Sequence, residues 1–254
     1  MRLSFIAFDA MLGKPMIPQP GLDPGVADLL SEMRRLHIRT ALVRHRYCLY
    51  VDPYEGNDML MREIAGHPEL VPAWAVTPDG RVPNFDVARV VRDLLAAGAK
   101  AAWIRPSKHG FSPEPWCCGK LYEILSAAKI PLLAEYGEIP AAQIHGICSA
   151  FPELRLVLVR VPREGRNRLL YPLLEAHANL HLCADPSFCV HGGLQDLCDR
   201  FGPQRWVFGT TYPTAEGGAA VTGIMFAGLP DSTVLAIASG NAERLLAEVR
   251  TDAI

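Results

Sequence analysis

The sequence predicts a single (β/α)8 TIM barrel that spans residues 1–254. Short apolar runs alternate with amphipathic stretches of helical length, a pattern typical of βα units around a parallel sheet. Several runs, such as Leu156 to Val159, are continuously apolar, as expected for strands covered on both faces. With 254 residues, of which 50% are hydrophobic, the chain can bury one large core. An open doubly wound sheet is the alternative, and the absence of GxGxxG and Walker A segments makes it the weaker one.

Eight apolar runs account for the eight strands of such a barrel. They are Leu3 to Phe8, His37 to Val43, Leu70 to Val76, Ala99 to Ile104, Ile130 to Tyr136, Leu154 to Val161, Asn179 to Ala184 and Arg205 to Gly209. Between them, apolar residues recur three and four apart, which predicts amphipathic helices. The clearest of these segments begin at Val26, Val87, Leu121 and Leu169.

Composition and charge exclude several classes of function. The formal net charge is -2 and the basic residues are spread along the chain, so we expect no nucleic-acid partner. No run of about 18 apolar residues is present, and Asp9 comes too early for a signal-peptide core. The seven cysteines are odd in number and irregularly spaced, which favours reduced thiols. These features predict a cytoplasmic protein without a membrane partner.

Polar residues follow the predicted strands, where the active sites of TIM barrels lie. Arg44, Arg105 and Arg160 end even-numbered strands, and alternate strands contribute side chains to one layer of a barrel. These three cations are therefore expected to converge on an anionic ligand, a geometry that suits a carboxylate. The alternative is that Arg160 and Glu135 form a structural ion pair while Arg44 and Arg105 point to solvent.

Two histidines and two further residues complete the candidate site. His45 and His109 are predicted in rim loops, where an imidazole that titrates near neutrality can act as a general acid or base. A solvated histidine is the alternative reading for each. Tyr212 offers an apolar wall with a polar tip, and it follows Thr211 at the end of the last predicted strand.

The end of the chain resembles the amidohydrolase-related family. The residues from Gly209 to Pro213 read Gly-Thr-Thr-Tyr-Pro, and those from Gly240 to Ala242 read Gly-Asn-Ala. Family members end the last barrel strand with Gly-Ser-Asp-Tyr-Pro and open the terminal helix with Gly-Asn-Ala. Weaker matches, such as Phe-Pro-Glu-Leu from Phe151 to Leu154, extend the resemblance over nearly the whole chain. It implies a barrel that binds one divalent metal and carries out hydrolysis of C–N or C–O bonds or nonoxidative decarboxylation.

The family's metal ligands match Met11, Gly13, Glu135, Arg160 and Thr211. Of these only Glu135 can bind a metal, and zinc needs three or four nitrogen, sulfur or carboxylate ligands at once. Arg160 carries a permanent positive charge that repels a divalent cation. We therefore expect no metal and no other cofactor. A rebuilt metal site from His45, Glu135, Asp185 and His191 is an alternative without diagnostic spacing.

The residues and the resemblance together predict a metal-independent hydrolase, or a decarboxylase-type lyase, that acts on a small carboxylated metabolite. Arg44, Arg105, Arg160, Thr211 and Tyr212 are the predicted substrate-binding residues. Glu135, His45 and His109 are the predicted catalytic residues. The alternative is a catalytically inactive relative with a ligand-binding or subunit role. A homodimer is also considered, with Trp116 or Phe111 at its interface.

Overall fold

A computed structural model describes residues 3–17, 24–79, 86–162, 168–188 and 190–253. Eight strands form one parallel sheet in which each strand is hydrogen-bonded to the next in sequence order. The strands are β1 (Phe5–Leu12), β2 (Ile38–His45), β3 (Leu70–Ala75), β4 (Ala101–Ile104), β5 (Leu132–Glu135), β6 (Leu156–Val159), β7 (Leu180–Ala184) and β8 (Trp206–Phe208). The predicted (β/α)8 barrel is confirmed.

Helices surround the sheet, and every β-to-β connection within the described residues contains at least one. They are α1 (Val26–Arg35), α2 (Tyr47–Tyr50), α3 (Pro53–Glu63), α4 (Val87–Ala96), α5 (Pro106–His109), α6 (Pro115–Ala127), α7 (Ala141–Ala150), α8 (Leu170–Ala176), α9 (Gly193–Phe201), α10 (Gly217–Met225), α11 (Asp231–Leu235) and α12 (Asn241–Ala247). Within the described ranges, no helix combines the length and the apolar character needed to cross a membrane.

The barrel closes where β1 lies against β8. The Met11 N–H donates to the Tyr212 carbonyl at 3.0 Å. The Asp9 carboxylate accepts hydrogen bonds from the N–H groups of Thr210 and Thr211, which directly follow β8. Backbone and side-chain hydrogen bonds therefore join the first and last strands at their carboxyl ends.

Alternation along the strands separates two apolar cores. Inward-facing residues such as Phe8, Leu42 and Trp103 fill the barrel, and the outward-facing residues pack under the helices. Ala242 and Leu245 of α12 belong to the inner core, so this helix covers the amino end of the barrel. Apolar side chains of α12 thus cover the amino end, where Arg205 and His181 are also buried.

Two strands, β1 and β2, are longer at their carboxyl ends than predicted. β2 continues to His45, two residues beyond the predicted end, so Arg44 and His45 lie in a strand and not in a rim loop. β1 likewise continues to Leu12, and both of these strand extensions are buried. Successive residues of a strand face opposite sides, so Arg44 and His45 are directed into different environments.

Candidate active site at the carboxyl end of the barrel

A cavity of about 500 Å³ opens at the carboxyl end of the barrel. It is lined by Met11, Pro15, Met16, Ile17, Arg46, Leu49, Tyr50, Arg105, Lys108, Glu135, Arg160 and Thr214. Its charged lining consists of four cations and one carboxylate, and the other residues are mainly apolar. A ligand that fits this lining has an anionic group and an apolar body.

Glu135, the last residue of β5, is held by Arg105. The Arg105 Nη1 donates to Glu135 Oε1 at 2.7 Å, and the Arg105 Nη2 lies 2.7 Å from Glu138 Oε1. The Arg160 Nε is farther from Glu135 Oε1, at 3.8 Å. Two carboxylates therefore neutralise Arg105 and fix the position of Glu135.

Arg46 and Lys108 have no ion pair among the described residues. Arg46 is buried, and its pKa is lowered first by burial and also by the positive charge of Arg160. Two guanidinium groups are therefore close enough to repel each other at the cavity wall. An anion between them would relieve this repulsion.

Arg160 follows β6 with a left-handed backbone, φ 56°. Its N–H donates to Asp185 Oδ2 at 2.7 Å, and its Nη2 donates to Thr214 Oγ1 at 3.4 Å. The Arg160 Nε is buried and has no hydrogen-bond partner. The side chain is 31% exposed, so this guanidinium remains accessible from the cavity.

Arg44 lies deeper than the other two predicted cations. Its Nη2 donates to the Asp9 carbonyl at 3.1 Å, and its guanidinium carbon lies 5.4 Å from the centre of the Trp103 ring. Burial lowers the pKa of Arg44, and the negative charges of Glu135 and Asp9 oppose that effect. Arg44 points into the barrel but does not line the cavity. The structure therefore places Arg105 and Arg160 together at the cavity and Arg44 beneath it.

His45 lines a second cavity, of about 570 Å³, which does not include Glu135. Its Nδ1 accepts the Tyr47 N–H at 3.2 Å, and its Nε2 is 3.4 Å from Glu63 Oε1. Burial lowers the pKa of His45, against the opposing charge of Glu63. The Nδ1 lone pair is thus occupied by a backbone donor.

His109, the last residue of α5, lies beside the rings of Trp103 and Phe111. Its Nε2 donates to the Cys48 carbonyl at 2.8 Å, which leaves Nδ1 buried without a hydrogen-bond partner. Burial lowers the pKa of His109, so the neutral imidazole is favoured. Neither predicted catalytic histidine lies on the wall that carries Glu135.

Thr211 and Tyr212 face the barrel closure. The Thr211 hydroxyl donates to Asp9 Oδ2 at 3.1 Å, and the residue is buried with φ 54°. Tyr212 packs against the outer core. The cavity wall at this loop is instead formed by Thr214. The sequence prediction missed the two cations Arg46 and Lys108, the Thr214 hydroxyl and the apolar part of the wall, although Arg46, Lys108 and Thr214 each lie within three residues of a predicted site residue.

Five positions match the family's metal ligands. Among them, only Glu135 carries a side chain that can bind a metal. A Cβ at Gly13 would lie 2.9 Å from His45 Nε2, so the imidazole occupies the space beside this position. Thr211 donates to Asp9, Arg160 is a cation, and the Glu135 carboxylate is paired with Arg105. The four residues of the alternative rebuilt site, His45, Glu135, Asp185 and His191, do not come together as a ligand group within the described chain.

One buried trio, Asp9, Cys183 and Asp185, brings its potential ligand atoms within 4.8 Å of one another. Both Asp9 oxygens accept hydrogen bonds from Thr211, and the Asp185 oxygens accept the N–H groups of Arg160 and Ser187. Burial raises the pKa of the Cys183 thiol well above its usual value. Burial and the charge of Asp9 raise the pKa of Asp185 to about 6. Both carboxylates of this potential ligand group are therefore already engaged in hydrogen bonds with neighbouring residues.

Solved structures share the fold at low sequence identity. A dihydroxybenzoic acid decarboxylase from Polaromonas, with bound manganese and 2-nitroresorcinol, is 13% identical with a TM-score of 0.77, covering 97% of each chain. The 5-carboxyvanillate decarboxylase from Sphingomonas paucimobilis is 14% identical with a TM-score of 0.73, covering 97% of this chain and 99% of its own. A putative 2-pyrone-4,6-dicarboxylic acid hydrolase from Pseudomonas putida is 15% identical with a TM-score of 0.74, covering 98% and 99%.

No curated protein sequence matches the chain significantly. A family model described as "Amidohydrolase" matches residues 3–247, nearly the whole barrel from the start of β1 to the end of α12. This protein therefore belongs to the amidohydrolase family.

Proposed function

We propose that this protein is a metal-independent hydrolase, or a decarboxylase-type lyase, that acts on a small carboxylated metabolite at the carboxyl end of the barrel. The observation that carries the proposal is the excess of positive charge in the cavity. Arg46 and Lys108 have no ion pair among the described residues, and Arg160 is shared between Thr214 and a distant Glu135. A carboxylate would bind these cations by charge-assisted hydrogen bonds.

The apolar part of the wall favours a ligand with an apolar body. Met11, Ile17 and Leu49 line the cavity together with Tyr50. The solved neighbours include enzymes named for dihydroxybenzoate, 5-carboxyvanillate and 2-pyrone-4,6-dicarboxylic acid, all small carboxylated compounds. The charge and shape of this cavity support the same general class for this chain.

Glu135 is the cavity residue best suited to move a proton. Its carboxylate faces the cavity and is held by Arg105, so it is positioned near the cationic wall. In hydrolysis it would accept a proton from the attacking water. An activated ester or lactone is the substrate that needs least help, because no metal-bound hydroxide would be available.

Metal independence rests on the residues at the positions of the family's ligands. Glu135 is the one potential ligand among them, and the nearby cations Arg105 and Arg160 disfavour a divalent ion. In the proposed mechanism these guanidinium groups supply the positive charge that stabilises an anionic substrate.

The first test is binding of carboxylates to purified protein, measured by calorimetry. We expect aromatic carboxylates to bind and their neutral amides to bind at least 10-fold more weakly. Arg160→Met should lower carboxylate affinity about 10-fold, since about 1.4 kcal/mol of a charge-assisted contact is lost. Arg89→Met, which removes an exposed arginine on α4, is the matched control and should leave the affinity unchanged. Equal affinities for carboxylates and amides would refute the anion site.

A measurement of substrate turnover distinguishes an enzyme from the second candidate function. That candidate is a catalytically inactive relative that binds ligands. The close pairing of Glu135 with Arg105 favours that alternative, because the Arg105 guanidinium occupies a carboxylate oxygen that would otherwise accept a proton from a substrate or water. For an enzyme, Glu135→Gln should retain carboxylate binding and lose turnover. Binding without turnover in the wild-type protein would select the inactive relative.

A further inference from the structure

We propose that Asp185 is a positioning residue that holds the backbone of Arg160 and thereby directs its guanidinium into the anion-binding cavity. This inference rests on the proposed function, in which Arg160 binds a ligand carboxylate.

Asp185 and Arg160 lie at the carboxyl ends of adjacent strands. Arg160 directly follows β6, and Asp185 directly follows β7. The Asp185 Oδ2 accepts the Arg160 N–H at 2.7 Å, and its Oδ1 accepts the Ser187 N–H at 2.8 Å. Asp185 is 2% exposed and forms no ion pair within the described chain. Its carboxylate therefore accepts hydrogen bonds from two backbone N–H groups, and the Ser187 side chain adds a further hydrogen bond.

The backbone of Arg160 requires such support. Its φ of 56° lies in the left-handed region, which is strained for a residue with a side chain. A short hydrogen bond to a buried carboxylate offsets this strain. If the bond were lost, Arg160 could return to an ordinary backbone conformation and its side chain would point in a different direction.

The electrostatic cost of burying the Asp185 carboxylate is too large to be explained by packing alone. Asp9 lies close by on β1, and the thiol of Cys183 faces the same space. Two buried carboxylates repel each other, and burial penalises both. Arg44 donates to the backbone carbonyl of Asp9 and forms no ion pair with Asp185 within the described residues. The Asp185 carboxylate is instead stabilised by its hydrogen bonds to Arg160 and Ser187 at the cavity edge.

The contact can be tested without a ligand by observing the Arg160 amide in ¹⁵N-labelled protein. A short N–H bond to a carboxylate moves the amide proton downfield. In Asp185→Asn the Arg160 N–H faces either a neutral carbonyl oxygen or an NH₂ group in place of a carboxylate, so we expect the Arg160 amide to move upfield and lose protection from exchange. An Arg160 amide that is unchanged in the variant would overturn the positioning role.

The effect on the site is measured by titration with benzoate, with benzamide as the neutral control. Asp185→Asn should weaken benzoate binding at least 5-fold. Asp52→Asn is the matched control, because the Asp52 carboxylate also accepts two backbone N–H groups, from Tyr54 and Glu55, each at 2.8 Å. It should lower stability and leave benzoate affinity unchanged. Equal losses of benzoate affinity in Asp185→Asn and Asp52→Asn would show that Asp185 contributes to stability alone. This result would overturn the proposal.

The outcomes separate this inference from the proposed function. If wild-type protein binds benzoate no better than benzamide, the anion site fails and the role of Asp185 in it fails too, while the Arg160 amide still reports the backbone contact. If wild-type binding is strong but insensitive to Asp185→Asn, the inference alone fails. Should Asp185→Asn not fold, adding Arg160→Gly should restore folding, because glycine adopts a positive φ without strain. Failure of that rescue would also overturn the proposal.

Discussion

At the scale of single residues, buried charge is concentrated at the carboxyl end of the barrel. Asp9 shows how closely these groups depend on their neighbours, because it accepts hydrogen bonds from Thr210 and Thr211 while its carbonyl accepts one from Arg44. Gly209 makes this arrangement possible. A Cβ at this position would lie 2.6 Å from Asp9 Oδ1 and would also overlap Cys183 Sγ.

Gly209→Ala should therefore destabilise the protein by about 1–3 kcal/mol, the usual cost of overpacking a filled core. Urea denaturation checks this value. Gly146→Ala in α7 is the control, since a Cβ there meets no atom within 4 Å. The control should stabilise the protein by about 0.5–1 kcal/mol, because alanine favours a helix interior. Similar urea midpoints for Gly209→Ala and Gly146→Ala would contradict the close packing of Gly209 against Asp9 and Cys183.

At the scale of elements, α12 joins the amino end of the barrel to β8. The Asn241 Nδ2 donates to the Pro203 carbonyl at 2.8 Å and to the Trp206 carbonyl at 2.7 Å. Ala242 and Leu245 of the same helix enter the inner core. The Gly-Asn-Ala segment thus has a structural explanation: its asparagine anchors the helix that covers the barrel.

Replacing this anchor should be costly. Asn241→Leu removes the donor to the buried Trp206 carbonyl and to the partly buried Pro203 carbonyl, and we expect a loss of about 2–4 kcal/mol in the free energy of unfolding. Glu243→Ala, on the exposed face of α12, removes a surface ion pair with Arg39 and should cost less than about 1 kcal/mol. Chemical denaturation of the two variants gives the comparison. A cost for Asn241→Leu no larger than that of Glu243→Ala would contradict the anchoring role.

At the scale of the whole molecule, the charged cavity lies at one end of the barrel and α12 covers the other. The inner core of residues such as Phe8, Trp103 and Leu133 separates α12 from the charged cavity. At the cavity, Glu135 and Glu138 balance the charge of Arg105, whereas Arg46 and Lys108 have no ion pair among the described residues. If these guanidinium groups provide the positive charge of the site, its integrity should not require a divalent ion.

Chelation tests this expectation. Protein purified without added metal and treated with EDTA should keep its unfolding temperature within experimental error, and added zinc or manganese should not raise it. Calorimetry with parallel metal analysis by plasma mass spectrometry provides the measurement. About one tightly bound ion per chain, with a fall in unfolding temperature on its removal, would contradict metal independence and direct attention to Asp9, Cys183 and Asp185.

The sequence was informative wherever local pattern determines structure. Apolar runs located all eight strands, and helical spacing located α1, α4, α6 and α8. The ends of β1 and β2 were misplaced because polar residues such as Asp9 and Arg44 resemble loop residues, although they are buried in the barrel. Strand-end spacing also identified Glu135, Arg105 and Arg160, which do share one cavity.

By itself, the sequence determined the barrel and the set of charged residues at its carboxyl end, because periodicity and strand order specify both. The tertiary structure decided which of those charges meet. His45 turned toward a second cavity, Arg44 entered the barrel interior, and Arg46 reached the cavity wall. These outcomes depend on the length of β2 and on barrel closure. Each of them arises from contacts between residues far apart in the chain, so local pattern does not contain them.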